Sequence, residues 1–324
     1  VSLKNALRQL HVIQSPAVLH ARVRIQTRRV DALVPGGFAR SRWRFRHGAN
    51  MPEPPSAARL SENPGWNLHR FDNAAPALAP TMRGMHIVTY LTNNDTAAFA
   101  QAYPHDGEKM ADMMRVHRPD WRYTTVRCID GEFPSDFEGI DGVIITGSPA
   151  SCCDDALPWV QPLLTSIRQL HAQHMPTVGI CFGHQAIARA LGGVVAHADD
   201  WGMGRGHCHW TAPQAWMSPW QDNMTLMAAH QEQVMRMPAG AQCLGGSTHC
   251  PIGSMWIDQH IWTTQFHPEM SQGFMDELLD HLEGHLPAHV IARARAQADA
   301  PNDAHLFSQW MAQFFELNHR RETR

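Results

Sequence analysis

From Met85 onward, short, largely apolar runs alternate with stretches whose apolar residues recur every three or four positions. His86–Leu91, Val143–Thr146 and Thr177–Ile180 are runs of the first kind, too short for helices and rich in Val, Ile and Thr, so they predict buried strands. Arg122 to Cys128 reads as a further strand, placed second in the chain. Glu108 to His117, with Met110, Met113 and Met114 on one side, predicts an amphipathic helix. Trp159 to His171 predicts another, with Val160, Leu163, Leu164, Ile167 and Leu170 along its inner face. Strands alternating with helices in this way imply an α/β fold, a mostly parallel sheet with helices on both faces. From His207 to about Phe266 the pattern changes to short strands separated by Gly, Pro and Asn turns. Three helical patterns follow, at Gly273 to Leu282, Pro287 to Ala296 and Ala304 to Leu317. No internal repeat is visible.

Before Met85 the pattern fails. Residues 1–84 show no sustained period, and Pro35-Gly36-Gly37, Pro54-Pro55, Pro64-Gly65, Pro76 and Pro80 interrupt them repeatedly. Ten of the 27 basic residues fall in the first fifty positions, opposed by Asp31 alone. Such a segment buries too little apolar surface to offset its ordering entropy, so it is expected to be a disordered extension or sequence upstream of a translation start at Met82 or Met85. An Arg-rich transit peptide and a nucleic-acid-binding arm are the competing readings. If the start lies at Met82 or Met85, residues 85–324 should fold as well as the whole chain.

Charge and cysteine content narrow the class. From residue 85 onward, 14 basic residues face 26 acidic ones, a net of −12, which disfavours nucleic acid and anionic membranes as partners. No apolar stretch approaches the roughly 18 residues of a membrane span. Seven cysteines, an odd number, fit a reducing cytoplasm better than a disulfide framework.

The chemistry is concentrated in Gly179-Ile180-Cys181-Phe182-Gly183-His184-Gln185. A strand runs into G-x-C-x-G and then into a helix, the thiol counterpart of a nucleophile elbow. The sharp turn requires both glycines and exposes the sulfur at the carboxyl end of the sheet. A helix N-terminus favours the thiolate, and the Phe182 N–H can face an oxyanion. Downstream, Gln265-Phe266-His267-Pro268-Glu269 supplies a base and a carboxylate two residues apart. On an extended backbone both side chains point the same way, so Glu269 can fix the tautomer of His267 while its other nitrogen faces Cys181.

These segments, together with Ile145-Thr146-Gly147-Ser148-Pro149 and His230-Gln231-Glu232-Gln233-Val234, resemble the class I (triad-type) glutamine amidotransferases, and among them the domain related to GMP synthase. The resemblance spans about Met85 to Phe274. It implies a flavodoxin-like domain over residues 85–274, with residues 275–324 as a C-terminal helical extension packed on it. It also implies that Cys181 attacks the side-chain amide of L-glutamine to form a γ-glutamyl thioester, with His267 protonating the departing ammonia. The turn at Gly147 and Ser148 would add a second oxyanion donor, and Gln185 and His230 would lie at the substrate. Glu232 stands where relatives carry Asp.

No phosphate loop of the S-G-G-x-D-S or G-x-x-x-x-G-K-[ST] type follows, so an ammonia acceptor, if there is one, would be a separate synthetase subunit. The chemistry needs no cofactor and no metal; His207-Cys208-His209 reads as strand alternation. Two alternatives stand beside the glutaminase: a hydrolase of γ-glutamyl amines or peptides, and a non-catalytic regulatory subunit with the same fold.

Overall fold

The computed structural model describes residues 84–322. The expectations about the N-terminal extension fall outside the described residues, apart from its last position.

Four strands and three helices come first: β1 (His86–Leu91), α1 (Asp106–Arg115), β2 (Arg122–Arg127), β3 (Gly142–Ile145), α2 (Val160–Ala172), β4 (Thr177–Ile180) and α3 (Phe182–Ala190). There follow β5 (Val194–Trp210), β6 (Asn223–Arg236), β7 (Gln242–Gly246), β8 (Ser254–Ile257) and β9 (Ile261–Thr264). The chain closes with α4 (Gln272–Leu282), α5 (Ala288–Ala296) and α6 (Ala304–Glu322). All nine strands form one sheet in the order β2-β1-β3-β4-β9-β8-β7-β5-β6. From β2 to β9 every pairing is parallel. From β9 to β6 every pairing is antiparallel. The sheet is therefore mixed, its parallel half being the α/β unit that the strand-helix alternation predicts.

Burial explains why the parallel half forms where it does. Every residue of β1, β3 and β4 is buried, as strands sandwiched between helices must be. One layer seats Leu163, Leu164, Ile167 and Leu170 of α2 against Val88, Val143 and Ile145. The opposite layer is dominated by α6, whose Phe307, Trp310, Met311, Phe314 and Phe315 are fully buried. Their spacing of three and one places them on a single helical stripe. That stripe meets Trp210 and Trp262, with ring centroids 5.5 Å apart for Trp310–Trp210 and 4.8 Å for Phe307–Trp262. Each such side chain contributes about 1.5–3 kcal/mol by leaving water.

Two expectations need correction. The antiparallel region begins at Val194 rather than His207, and its first two strands are long, of 17 and 14 residues. The first half of β5, with His197, Asp199 and Asp200, is largely solvent-facing and its pairing with β6 shifts register there, so it lacks the apolar alternation of a core strand. The second correction concerns His267 and Glu269. β9 ends at Thr264, His267 makes an isolated bridge to Met227, and Pro268 and Glu269 turn away from the sheet. The backbone there is a bridge followed by a turn, not a strand.

Candidate active site

The functional side chains collect where β3, β4 and β9 end together. β4 and β9 run side by side with Ile180 opposite Thr264, so the residues that follow, Cys181 and Gln265, leave the sheet as neighbours. The Cys181 N–H extends that ladder by one bond, 2.8 Å to the Thr264 carbonyl. The chain then bends sharply into α3: Cys181 has φ 49° and ψ −102°, a conformation that side-chain-bearing residues rarely hold. Tight packing enforces the bend. A methyl group on Gly179 would lie 2.6 Å from Ile187 and 2.9 Å from the Gly183 backbone, and one on Gly183 would strike the backbone of Ile145. The Gly183 N–H instead bonds the Thr146 carbonyl at 3.1 Å, tying the elbow to the end of β3. As the first residue of α3, Phe182 presents an N–H that the helix ladder does not use.

Cys181 is 4% exposed and His267 6%. Gly147 lies against both side chains: a methyl group there would lie 2.7 Å from His267 Cε1 and 3.7 Å from Cys181 Cβ. Nδ1 of His267 lies 2.6 Å from Glu269 Oε1, and both side chains are almost fully buried. Nε2, the other ring nitrogen, has no hydrogen-bond partner among the described residues. Burial alone would lower the pKa of His267, but the negative charges of a Cys181 thiolate and of Glu269 outweigh it and hold the ring well above the ordinary histidine range.

Neighbouring histidines behave oppositely. Burial pushes His184 down to about 3, with Nδ1 2.8 Å from Thr263 Oγ1. Burial also pushes His230 to about 3, and the neighbouring imidazoles, among them that of His267, disfavour a further positive charge there. Both stay neutral beside a charged His267, so they do not compete for its proton.

The turn after β3 is held rigidly. The Thr92 hydroxyl lies 2.9 Å from the Thr146 carbonyl and 3.1 Å from the Gly147 carbonyl. In a trans peptide the N–H opposes the carbonyl, so the Ser148 N–H is directed away from Thr92. The Ser148 side chain is engaged locally, accepting from the Ala150 N–H at 3.2 Å. Glu232 accepts from Ser151 Oγ at 2.8 Å, so its carboxylate anchors the same loop to β6. Gln185 is buried, with Nε2 2.7 Å from the Glu232 carbonyl and 3.2 Å from Gln265 Oε1. Gln265 in turn places Nε2 3.5 Å from Cys181 Sγ. Neither this contact nor the Thr92 contacts are read from motif spacing; the parallel register of β4 against β9 is the signal that would have found Gln265.

Among the described residues no group of three or more His, Cys, Asp or Glu side chains is arranged to hold a metal ion. His207 and His209 are engaged by Thr225 Oγ1 and Asn223 Oδ1 at 2.9 and 3.2 Å. No helix among the described residues is long and apolar enough to cross a membrane.

Comparison with known proteins adds the family. γ-Glutamyl peptidase 2 of Arabidopsis thaliana is 28% identical over 191 residues, covering 56% of this chain and 70% of the relative. A GMP synthase of Trichormus variabilis is 29% identical over 130 residues, covering 40% of this chain but 23% of that one. In fold, a crystal structure of a glutamine amidotransferase from Thermotoga maritima superposes with a TM-score of 0.57 at 16% identity, over 72% of this chain and 98% of the other. The family model described as "Glutamine amidotransferase class-I" matches residues 115–281, from the end of α1 through the elbow and the His267 turn to α4. That match takes in more than half of the chain, with Cys181, Gln185, Gln265, His267 and Glu269, and the chain belongs to the class-I glutamine amidotransferase family.

Proposed function

We propose that this protein hydrolyses γ-glutamyl amide bonds through a γ-glutamyl thioester on Cys181. One observation carries the reading: a cysteine on a strained elbow shares a buried site with a histidine whose far nitrogen is paired to a carboxylate. The Cys181 thiolate attacks the side-chain carbonyl of the γ-glutamyl group. The oxyanion is received by the N–H of Phe182 and by an N–H of the Gly147–Ser148 turn. Nε2 of the His267 imidazolium gives its proton to the leaving nitrogen, the carbon–nitrogen bond breaks, and the thioester and a free amine or ammonia result. Water then attacks the thioester, His267 takes a proton from it, and glutamate leaves as Cys181 is regenerated. Glu269 holds the ring and offsets its charge throughout.

A γ-glutamyl amine or peptide is favoured over free glutamine as the substrate. The γ-glutamyl peptidase matches over most of its own length, the GMP synthase over under a quarter of its own. The second reading, glutaminase feeding ammonia to a separate synthetase chain, is supported by that same GMP synthase likeness over 130 residues. The seven cysteines, all free thiols, suit a reducing cytoplasm for either reading. Steady-state turnover of a panel of γ-glutamyl amines, γ-glutamyl dipeptides and L-glutamine, with Cys181→Ala as control, tests this. Conjugates are expected to exceed glutamine in kcat/KM. Glutamine turned over fastest would favour the second reading, and no turnover of any member would leave a non-catalytic subunit.

A further inference from the structure

The polarity of the amide chain behind Cys181 is fixed by an atom that can only accept. The carbonyl of Glu232 lies 2.7 Å from the Gln185 side-chain amide, so the atom facing it must be Nε2 rather than Oε1. The second proton of that nitrogen then points at Gln265, 3.2 Å away, and the atom receiving it must be Oε1. Gln265 is consequently turned with Nε2 toward Cys181 Sγ, at 3.5 Å. Reversing Gln185 would set its carbonyl against that of Glu232, and reversing Gln265 would set N–H against N–H, in a site where Gln265 is fully buried and Gln185 nearly so. An N–H group is thus held against the sulfur.

We propose that Gln265 is a catalytic residue that donates a hydrogen bond to the Cys181 thiolate, and that Gln185 is the positioning residue that fixes its orientation. This deepens the reading of Cys181 as nucleophile and rests on it. Sequence resemblance places Gln185 at the substrate amino acid, yet both of its amide protons are committed inside the protein. Its influence on the reaction passes through Gln265. A hydrogen bond to a charged sulfur favours the thiolate over the thiol and keeps Sγ aimed out of the elbow. The other titratable groups near that sulfur are His267 and Cys250.

The test needs no knowledge of the substrate. Alkylation of Cys181 by iodoacetamide is followed against pH by peptide mass spectrometry, which separates it from Cys250, in wild type, Gln265→Met and Gln185→Met. The relay predicts that the midpoint of the profile rises by about one pH unit in Gln265→Met. It predicts a smaller rise in Gln185→Met, which does not touch the sulfur. With a substrate in hand, kcat should fall about tenfold in Gln265→Met while KM stays within about twofold. Unchanged midpoints in folded variants overturn the proposal. So does a Gln185→Met protein whose KM rises while its midpoint holds, the signature of a residue that grips substrate. Should Gln265→Met not fold, Gln265→Asn keeps the amide one methylene short of Sγ and must raise the midpoint likewise. Failure of the nucleophile reading looks different: Cys181 in wild type would titrate like an ordinary thiol and no γ-glutamyl compound would be cleaved.

Discussion

The two halves of the sheet divide the labour. The parallel half, β2-β1-β3-β4-β9, ends in abrupt turns that bring Gly147, Cys181 and His267 together. The antiparallel half, β8-β7-β5-β6, contributes support: Glu232 of β6 anchors the loop after β3 and orients Gln185, while Trp210 of β5 packs beneath α6. β9 belongs to both halves, parallel to β4 and antiparallel to β8. The lesson is that the candidate site sits at the seam, where two adjacent parallel strands release their chains side by side, as the rule for open α/β sheets anticipates.

If the division holds, damage to the supporting layer should lower stability without changing catalysis. Trp310→Ala removes a fully buried ring from Trp210 and leaves a cavity, which should cost about 3–5 kcal/mol in chemical denaturation. The kcat/KM per folded molecule should stay unchanged; a drop would mean that the two layers are coupled. Gly147→Ala is the converse. Its methyl group would press on His267 Cε1, so kcat/KM should fall about 100-fold while the melting temperature moves little.

Acid should act through the neutral histidines of the site. His184 and His230 fall to about 3 in the folded protein, while unfolded they titrate near 6.5. The unfolded chain therefore takes up protons first as the pH drops. Their contribution is complete above about 6.5 and drains away on acidification, by about 1.4 kcal/mol per pH unit for each ring. His267 runs the other way: its folded pKa is raised, so its contribution is complete below about 6.5 and fades as pH climbs through the folded value. Denaturant midpoints at pH 7, 6 and 5 should show the loss, which His230→Gln should shrink. The smallest effect concerns the elbow itself. Cys181→Gly relieves the positive φ and should raise stability by about 1 kcal/mol while abolishing turnover.

The parallel half was legible because its strands are buried on both faces, which leaves uninterrupted apolar runs such as Val143–Ile145 and Val178–Ile180. The elbow was legible because a sharp strand-to-helix turn demands glycine at fixed offsets, 179 and 183. β5 was misread because its outer residues, among them Asp199 and Asp200, face solvent on a hairpin with shifted register. Glu269 reaches His267 from a turn rather than along a strand, so the pairing was foreseen while the backbone was not. Gln265 was hidden for another reason: its contact with Cys181 depends on which strand lies beside β4, and no local pattern encodes that neighbour.

The central claim is that Cys181 carries the γ-glutamyl group. Intact-protein and peptide mass spectrometry after exposure to a glutamine-analogue electrophile tests it directly. A single adduct on Cys181, absent from Cys181→Ser and slowed in His267→Asn, is the expected result. Labelling of another residue, or no labelling of a folded protein, would contradict it.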